Sequence, residues 1–179
     1  MINFQSFQSE KLALVAGALL FPFASLAAQP APPVVPTAAR AAIQLPVELC
    51  AMRQERLDTS PTSLDAIYSL SGNGSLRVSL VRARQSVDGE FVDIERAIRG
   101  YFGDIVMVRD LDPPPGAEEG RARLWRGLLD GSRVLTGLWL WHHDGVRIEL
   151  RGTVPLGETE RLWPEIECAV RTLAAPAAS

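Results

Sequence analysis

Two histidines and two cysteines carry most of the chemical potential of this chain. His142 and His143 are its only histidines, adjacent to each other and followed by Asp144. A histidine beside an acid is the start of a general-base arrangement, which then needs a nucleophile. No G-x-S-x-G motif supplies one. Asp144 precedes Gly145 in a turn pattern, so its simpler role is to bend the chain. Neighbouring residues on a strand point to opposite faces, so His142 and His143 are not expected to share a metal. The acids read as solvated loop residues at Glu118-Glu119. At Glu158, Glu160, Glu165 and Glu167 they suit the positive end of a helix dipole. Gly72-Asn73-Gly74 has neither the lysine nor the following helix of a phosphate loop. We therefore expect no catalytic residue, no metal site and no cofactor, with a hydrolase using His142 or His143 as the alternative.

Cys50 and Cys168 are the only cysteines and lie near opposite ends of the domain. In an oxidising compartment such a pair bonds, and a loop of that length gains about 4–5 kcal/mol by chain entropy. The competing reading is two unpaired buried thiols. In the C-terminal helix the apolar stripe is Ile166, Ala169, Val170 and Leu173, and Cys168 points about 150° away from it. A cysteine off the core stripe suits a staple to a segment crossing the helix. Redox catalysis through C-x-x-C is excluded by spacing.

The compartment is written at the N-terminus. Lys11 is the only lysine, and an uncharged run from Leu12 to Phe23 leads into the small residues Ala24, Ser25, Ala27 and Ala28. This is the pattern of a secretory signal over residues 1–28. A retained anchor is the competing reading, because Leu12 to Ala28 just reaches the ~17–25 residues that span a bilayer. The Pro/Ala-rich stretch 29–42 reads as an extended linker. A single domain is expected over 43–174, with a disordered tail at 175–179. The chain has 179 residues, 47% hydrophobic and 22% charged, with 18 Lys+Arg against 21 Asp+Glu and a net charge of -3. That composition fits one globular core and leaves no excess positive charge for nucleic acid.

The elements that position these residues are mostly strands. Ala66–Ser71 and Leu76–Val81 flank a Gly-Asn-Gly turn. Ser86–Phe102 changes to helical spacing through Phe91, Ile94 and Ile98, with Ser86 or Asp88 as cap and Gly103 as a left-handed terminator. Ile105–Val108 is a short strand, and the proline run Pro113–Pro115 marks a loop. Arg121–Leu129, Arg133–His142 or His143, and Val146–Val154 form a meander through Asp130-Gly131 and Asp144-Gly145. A two-residue second turn pairs Trp141 with Ile148, Trp139 with Leu150, Gly137 with Gly152 and Leu135 with Val154. One register of the first turn would place Trp125 opposite Gly137. The main C-terminal helix is expected to start near Pro164, with a separate turn over Glu158–Leu162. Residues 47–57 fit either a strand or a helix. The sum is an α+β fold: an antiparallel sheet of about six strands covered by two helices.

The four tryptophans read as core. The face of the central strand carrying Val134, Leu138 and Leu140 is the candidate binding surface, for an unknown protein or a small apolar ligand, if helices leave it open. Ala66-Ile67-Tyr68-Ser69, the helix from Asp88 to Phe102, Trp139-Leu140-Trp141 and the run Arg147–Pro155 together resemble the Mog1/PsbP-like group of small α+β domains. More specifically, they resemble uncharacterised exported bacterial proteins of that plan. The resemblance implies a helix-covered antiparallel sheet and a binding or assembly accessory rather than an enzyme. It transfers no functional residue, because no diagnostic motif matches. The expected protein is a non-enzymatic domain in the periplasm or secreted medium, meeting the membrane only if its N-terminal segment is kept.

Overall fold

Two Asp-Gly turns set the centre of the molecule. Asp130, Gly131, Asp144 and Gly145 all have positive φ, the conformation that a two-residue hairpin turn needs at both central positions. They join β6 (Arg121–Leu129), β7 (Ser132–His143) and β8 (Val146–Pro155). The β7–β8 register pairs Trp141 with Ile148, Trp139 with Leu150, Gly137 with Gly152 and Leu135 with Val154, as the turn spacing predicts. The β6–β7 register differs from the one considered above. Leu124, not Trp125, lies opposite Gly137, and Trp125 pairs with Thr136. Trp125 therefore points to the other face of the sheet. The space above Gly137 is filled instead by the rings of Trp163 and Trp139.

The computed structural model describes residues 45–117 and 119–175. The expected signal, the whole linker, residues 43–44, the end of the tail and Glu118 lie outside the described residues. Upstream of the meander are β1 (Glu48–Leu49), β2 (Met52–Thr59), β3 (Ser63–Leu70), β4 (Gly74–Arg82), α1 (Val87–Tyr101) and β5 (Gly103–Asp110). A short 3-10 turn, Leu156–Glu158, leads into α2 (Thr159–Ala174). One eight-stranded sheet runs β1-β2-β3-β4-β8-β7-β6-β5, with every neighbouring pair antiparallel. The crossover through α1 carries the chain from β4 to the far edge, and the meander brings it back until β8 lies beside β4.

The sheet has eight strands rather than about six because residues 47–57 are extended. β2 is covered by β1 only at Met52 and Arg53 and is exposed along most of its length, so it lacks the apolar alternation that marks a half-buried strand. Two expected helix boundaries also change. Gly103 does not end α1 in a left-handed turn. Phe102 is extended, its N–H still reaches Ile98 O, and Gly103 already belongs to β5. α2 is continuous through Pro164. Proline there removes one backbone hydrogen bond early in the helix, and packing of the helix on the sheet overrides that loss.

Each sheet face has its own core. α2 packs through Leu162, Trp163, Ile166, Ala169 and Val170 on strand residues that include Leu76, Val78, Trp139, Trp141 and Leu150. Gly137 and Gly152 face each other beneath it. A Cβ on Gly152 would lie 2.4 Å from Ile166 Cγ2, and one on Gly137 would lie 2.7 Å from Trp163 Cη2. The two glycines thus set how closely α2 approaches, and the Trp139 and Trp163 rings stack at 5.7 Å. Cys50 and Cys168 are bonded, 6.3 Å apart at Cα and 118 residues apart in sequence. The staple ties the β1–β2 turn to α2, and Ala51 N also donates to Glu165.

On the opposite face α1 buries Val87, Phe91, Ile94 and Ile98 against Trp125, Val134, Leu138 and Leu140. This corrects the candidate binding surface. Val134 is 5% exposed and Leu138 and Leu140 are 0% exposed. The apolar strip offered as a surface on condition that helices leave it open is the seat of α1, which buries its own apolar stripe there. β7 is consequently apolar on both faces and covered on both. All four tryptophans are buried.

Candidate functional site

α1 covers only part of its sheet face. Beyond it β8 turns outward a charged row, Arg147, Glu149 and Arg151, and β7 contributes His142 at its end. The helix adds one acid to this row. Ser86 caps α1 by accepting from Gly89 N, which fixes the phase of the first turns. Glu90 then falls on the stripe of Val87, Phe91, Ile94 and Ile98 and is only 3% exposed.

A buried carboxylate needs partners for both oxygens, and Glu90 has them. Its Oε2 lies 2.7 Å from His142 Nε2. An ionised carboxylate only accepts, so His142 presents Nε2–H to it. Its Oε1 accepts from the backbone N–H of Arg84 at 2.9 Å and lies 4.0 Å from Arg147 Nη1. Glu149, 8% exposed, sits between Arg147 at 3.5 Å and Arg151 at 2.9 Å. Farther along the face, Arg77 pairs with Asp65 at 3.2 Å and lies directly across from Arg151. His143 points away from this network. It is exposed, with Nε2 3.6 Å from Asp144.

The network borders a cavity of about 230 Å³ lined by Thr62, Ser63, Val81, Arg82, Arg84 and Arg147. Three guanidinium-bearing residues line it and no acid does. Thr62 and Ser63 bring hydroxyls that also meet Ser60. On the other sheet face, a larger cavity of about 410 Å³ lies between α2 and the proline loop, with Arg109, Trp139, Val170 and Arg171 among its lining. The open edge strand β5 exposes Val106, Met107 and Val108. Two register shifts in its pairing blunt that edge against further strands.

The sequence did not separate His142 from His143: the structure places His142 against Glu90, while Asp144 lies beside His143. Glu90 was legible: it is a carboxylate on the apolar stripe of an amphipathic helix. The arginine cavity was not, because its residues come from three separated stretches of chain. The histidine–carboxylate pair could accept a proton at His142 Nδ1, and the arginine cavity could hold an anion. Both cysteines are engaged in the disulfide. Among the described residues no three His, Cys, Asp or Glu side chains are grouped as metal ligands, and no helix is long and apolar enough to cross a membrane.

The chain matches no family model and no curated protein. It is similar to the crystal structure of PA94 from Pseudomonas aeruginosa, a protein of unknown function and proposed regulator. The two share 15% identity over 72% of this chain and 99% of that one, with a TM-score of 0.47. A likeness of that degree carries no functional argument.

Proposed function

We propose that this chain is an exported, non-enzymatic binding or accessory domain, freed into an extracytoplasmic compartment by removal of residues 1–28. One observation carries the binding reading. The buried Glu90 carboxylate spends both oxygens on fixing His142 and the Arg84 backbone, while Arg82 and Arg84 beside it keep side chains with no ion pair among the described residues. The pair thus acts as a brace, and the uncommitted groups are those suited to holding a ligand. The Cys50–Cys168 bond supports an oxidising compartment. The resemblance to Mog1/PsbP-like accessory domains points the same way.

A non-reducing native mass spectrum of protein isolated from the extracytoplasmic fraction tests this reading. The expected mass begins near Ala28 or Gln29 and is two hydrogens light. A full-length mass from the membrane fraction would defeat the export reading and favour a retained anchor. The second reading, a hydrolase using His142, rests on its 2.7 Å contact with Glu90. Ester or phosphoester turnover lost in His142→Ala would establish it in place of the binding reading.

A further inference from the structure

We infer that Arg82, Arg84 and Arg147 form a binding site for one tetrahedral oxyanion, a phosphoryl or sulfuryl group. The inference rests on the reading of the domain as a binder and names the ligand chemistry.

The charge count favours an anion locally, although the whole chain has a net charge of -3. Arg82 and Arg84 have no acid partner among the described residues. Arg147 and Arg151 share Glu90 and Glu149. Four guanidiniums against two carboxylates leave two positive charges. A phosphate monoester carries about −1.5 to −2 at neutral pH, which matches that excess. Arg147 is held away from full pairing. Its closest approaches to the two acids are 4.0 Å and 3.5 Å, and its Nε has no hydrogen-bond partner among the described residues. A guanidinium presents five donors in a planar fork suited to oxyanions, so donors remain for a ligand.

The site is also fixed in place. Arg82 is paired with Val146 at the end of the β4–β8 ladder. Next in the chain, Ala83 N donates to Gly145 O at 2.9 Å, and Arg84 N donates to Glu90. The Gln85 side chain donates to Asp93 at 2.8 Å, and Ser86 caps α1. Every residue of the β4–α1 connection is therefore anchored, which lowers the ordering cost of binding. The volume of about 230 Å³ is below the ~300–1,000 Å³ of sites that enclose drug-sized ligands. The cavity fits a charged group, with the remainder of its bearer outside.

The test is titration of the purified, oxidised protein with inorganic phosphate at constant ionic strength, followed by calorimetry. A parallel arm measures sedimentation with vesicles containing phosphatidic acid, whose headgroup is a phosphate monoester. We expect one phosphate per chain. Arg82→Ala and Arg84→Ala should each weaken binding about tenfold or more, while Arg126→Ala on the other sheet face leaves it unchanged. Arg84→Lys should recover only part of the loss, because charge returns without the fork. Arginine-dependent binding of phosphate alone places the group on a soluble ligand. The same dependence for vesicles as well places it on a lipid headgroup. Either result supports the site. Folded wild-type protein that binds no phosphate, or binding that survives both alanine substitutions, overturns it. The domain would still be a binder if its native mass showed export and a different bound species, so the two readings fail separately.

Discussion

The two faces of the sheet solve the same burial problem in different ways. Under α2 the contact is apolar from β1 to β6, brought close by Gly137 and Gly152 and closed by a disulfide. Under α1 the apolar contact stops partway, and a braced row of charges takes over from Glu90 to Arg151. Apolar packing is adaptable and gains from every contact. A buried ionic row gains little over an apolar one of the same shape. A protein selected only for stability would extend the α2 solution to both faces. The α1 face instead keeps costly charges beside a cavity, and such departures mark sites of function.

The sharpest way to separate the faces is to cut the staple. Cys50→Ser with Cys168→Ser should lower stability by about 3–4 kcal/mol in non-reducing denaturant titration. Hydrogen exchange should show the loss of protection concentrated in β1, β2 and the end of α2, with α1 little changed. Equal loosening of both faces would mean that the two cores are one cooperative unit.

The ionic brace comes next. Glu90→Leu fills the stripe position with an apolar group but leaves His142 Nε2–H and Arg84 N–H without their acceptor. Each buried donor so stranded costs about 1–3 kcal/mol, less whatever the leucine gains by packing. We expect about 2–3 kcal/mol of destabilisation by chemical denaturation. If Glu90→Leu were neutral or stabilising, the α1 face would owe nothing structural to its charges.

How much of this was legible follows from the same contrast. The meander and its β7–β8 register were readable because Asp-Gly turns and strand alternation are local signals, and the cysteine pairing because the chain has only two cysteines. The seat of α1 was left conditional on helix cover, because Val134, Leu138 and Leu140 form an apolar strip whether or not a helix covers it. What decides is the crossover geometry, which sends α1 across the meander and is not written in any one segment. Residues 47–57 were ambiguous because a strand exposed along most of its length has no buried side to give it a period. The arginine cavity joins residues 62–63, 81–84 and 147, and only the β4–β8 pairing brings them together.

On the α2 face the test is one methyl group. Gly152→Ala places Cβ 2.4 Å from Ile166 Cγ2, so helix or sheet must shift. Overpacking of this kind costs about 1–3 kcal/mol, and we expect the lower half of that range because a single methyl is added. Ile166→Leu removes the branch at Cγ2. In a double-mutant cycle it should recover part of the loss, with a coupling above ~0.5 kcal/mol. Additive effects would show that the glycines do not set the approach of α2.

The smallest effect is on the rim of the α1 face. The Arg121 guanidinium hydrogen-bonds Asp88 in the first turn of α1 and holds its carboxyl below the usual carboxylate range, against a smaller opposing desolvation. A group whose pKa is lower in the folded state adds stability above its unfolded pKa of about 3.9. That contribution fades as pH falls through the lower folded value. Asp88→Asn should therefore lower stability slightly at neutrality, where the pair contributes, and leave it unchanged below the folded pKa, which flattens the acid limb of the stability curve below pH ~4. The pair is exposed and screened, so the flattening should shrink further in high salt. A stability loss of the same size at pH 7 and pH 3 would instead assign Asp88 to helix capping and remove the ion pair from the account of this face.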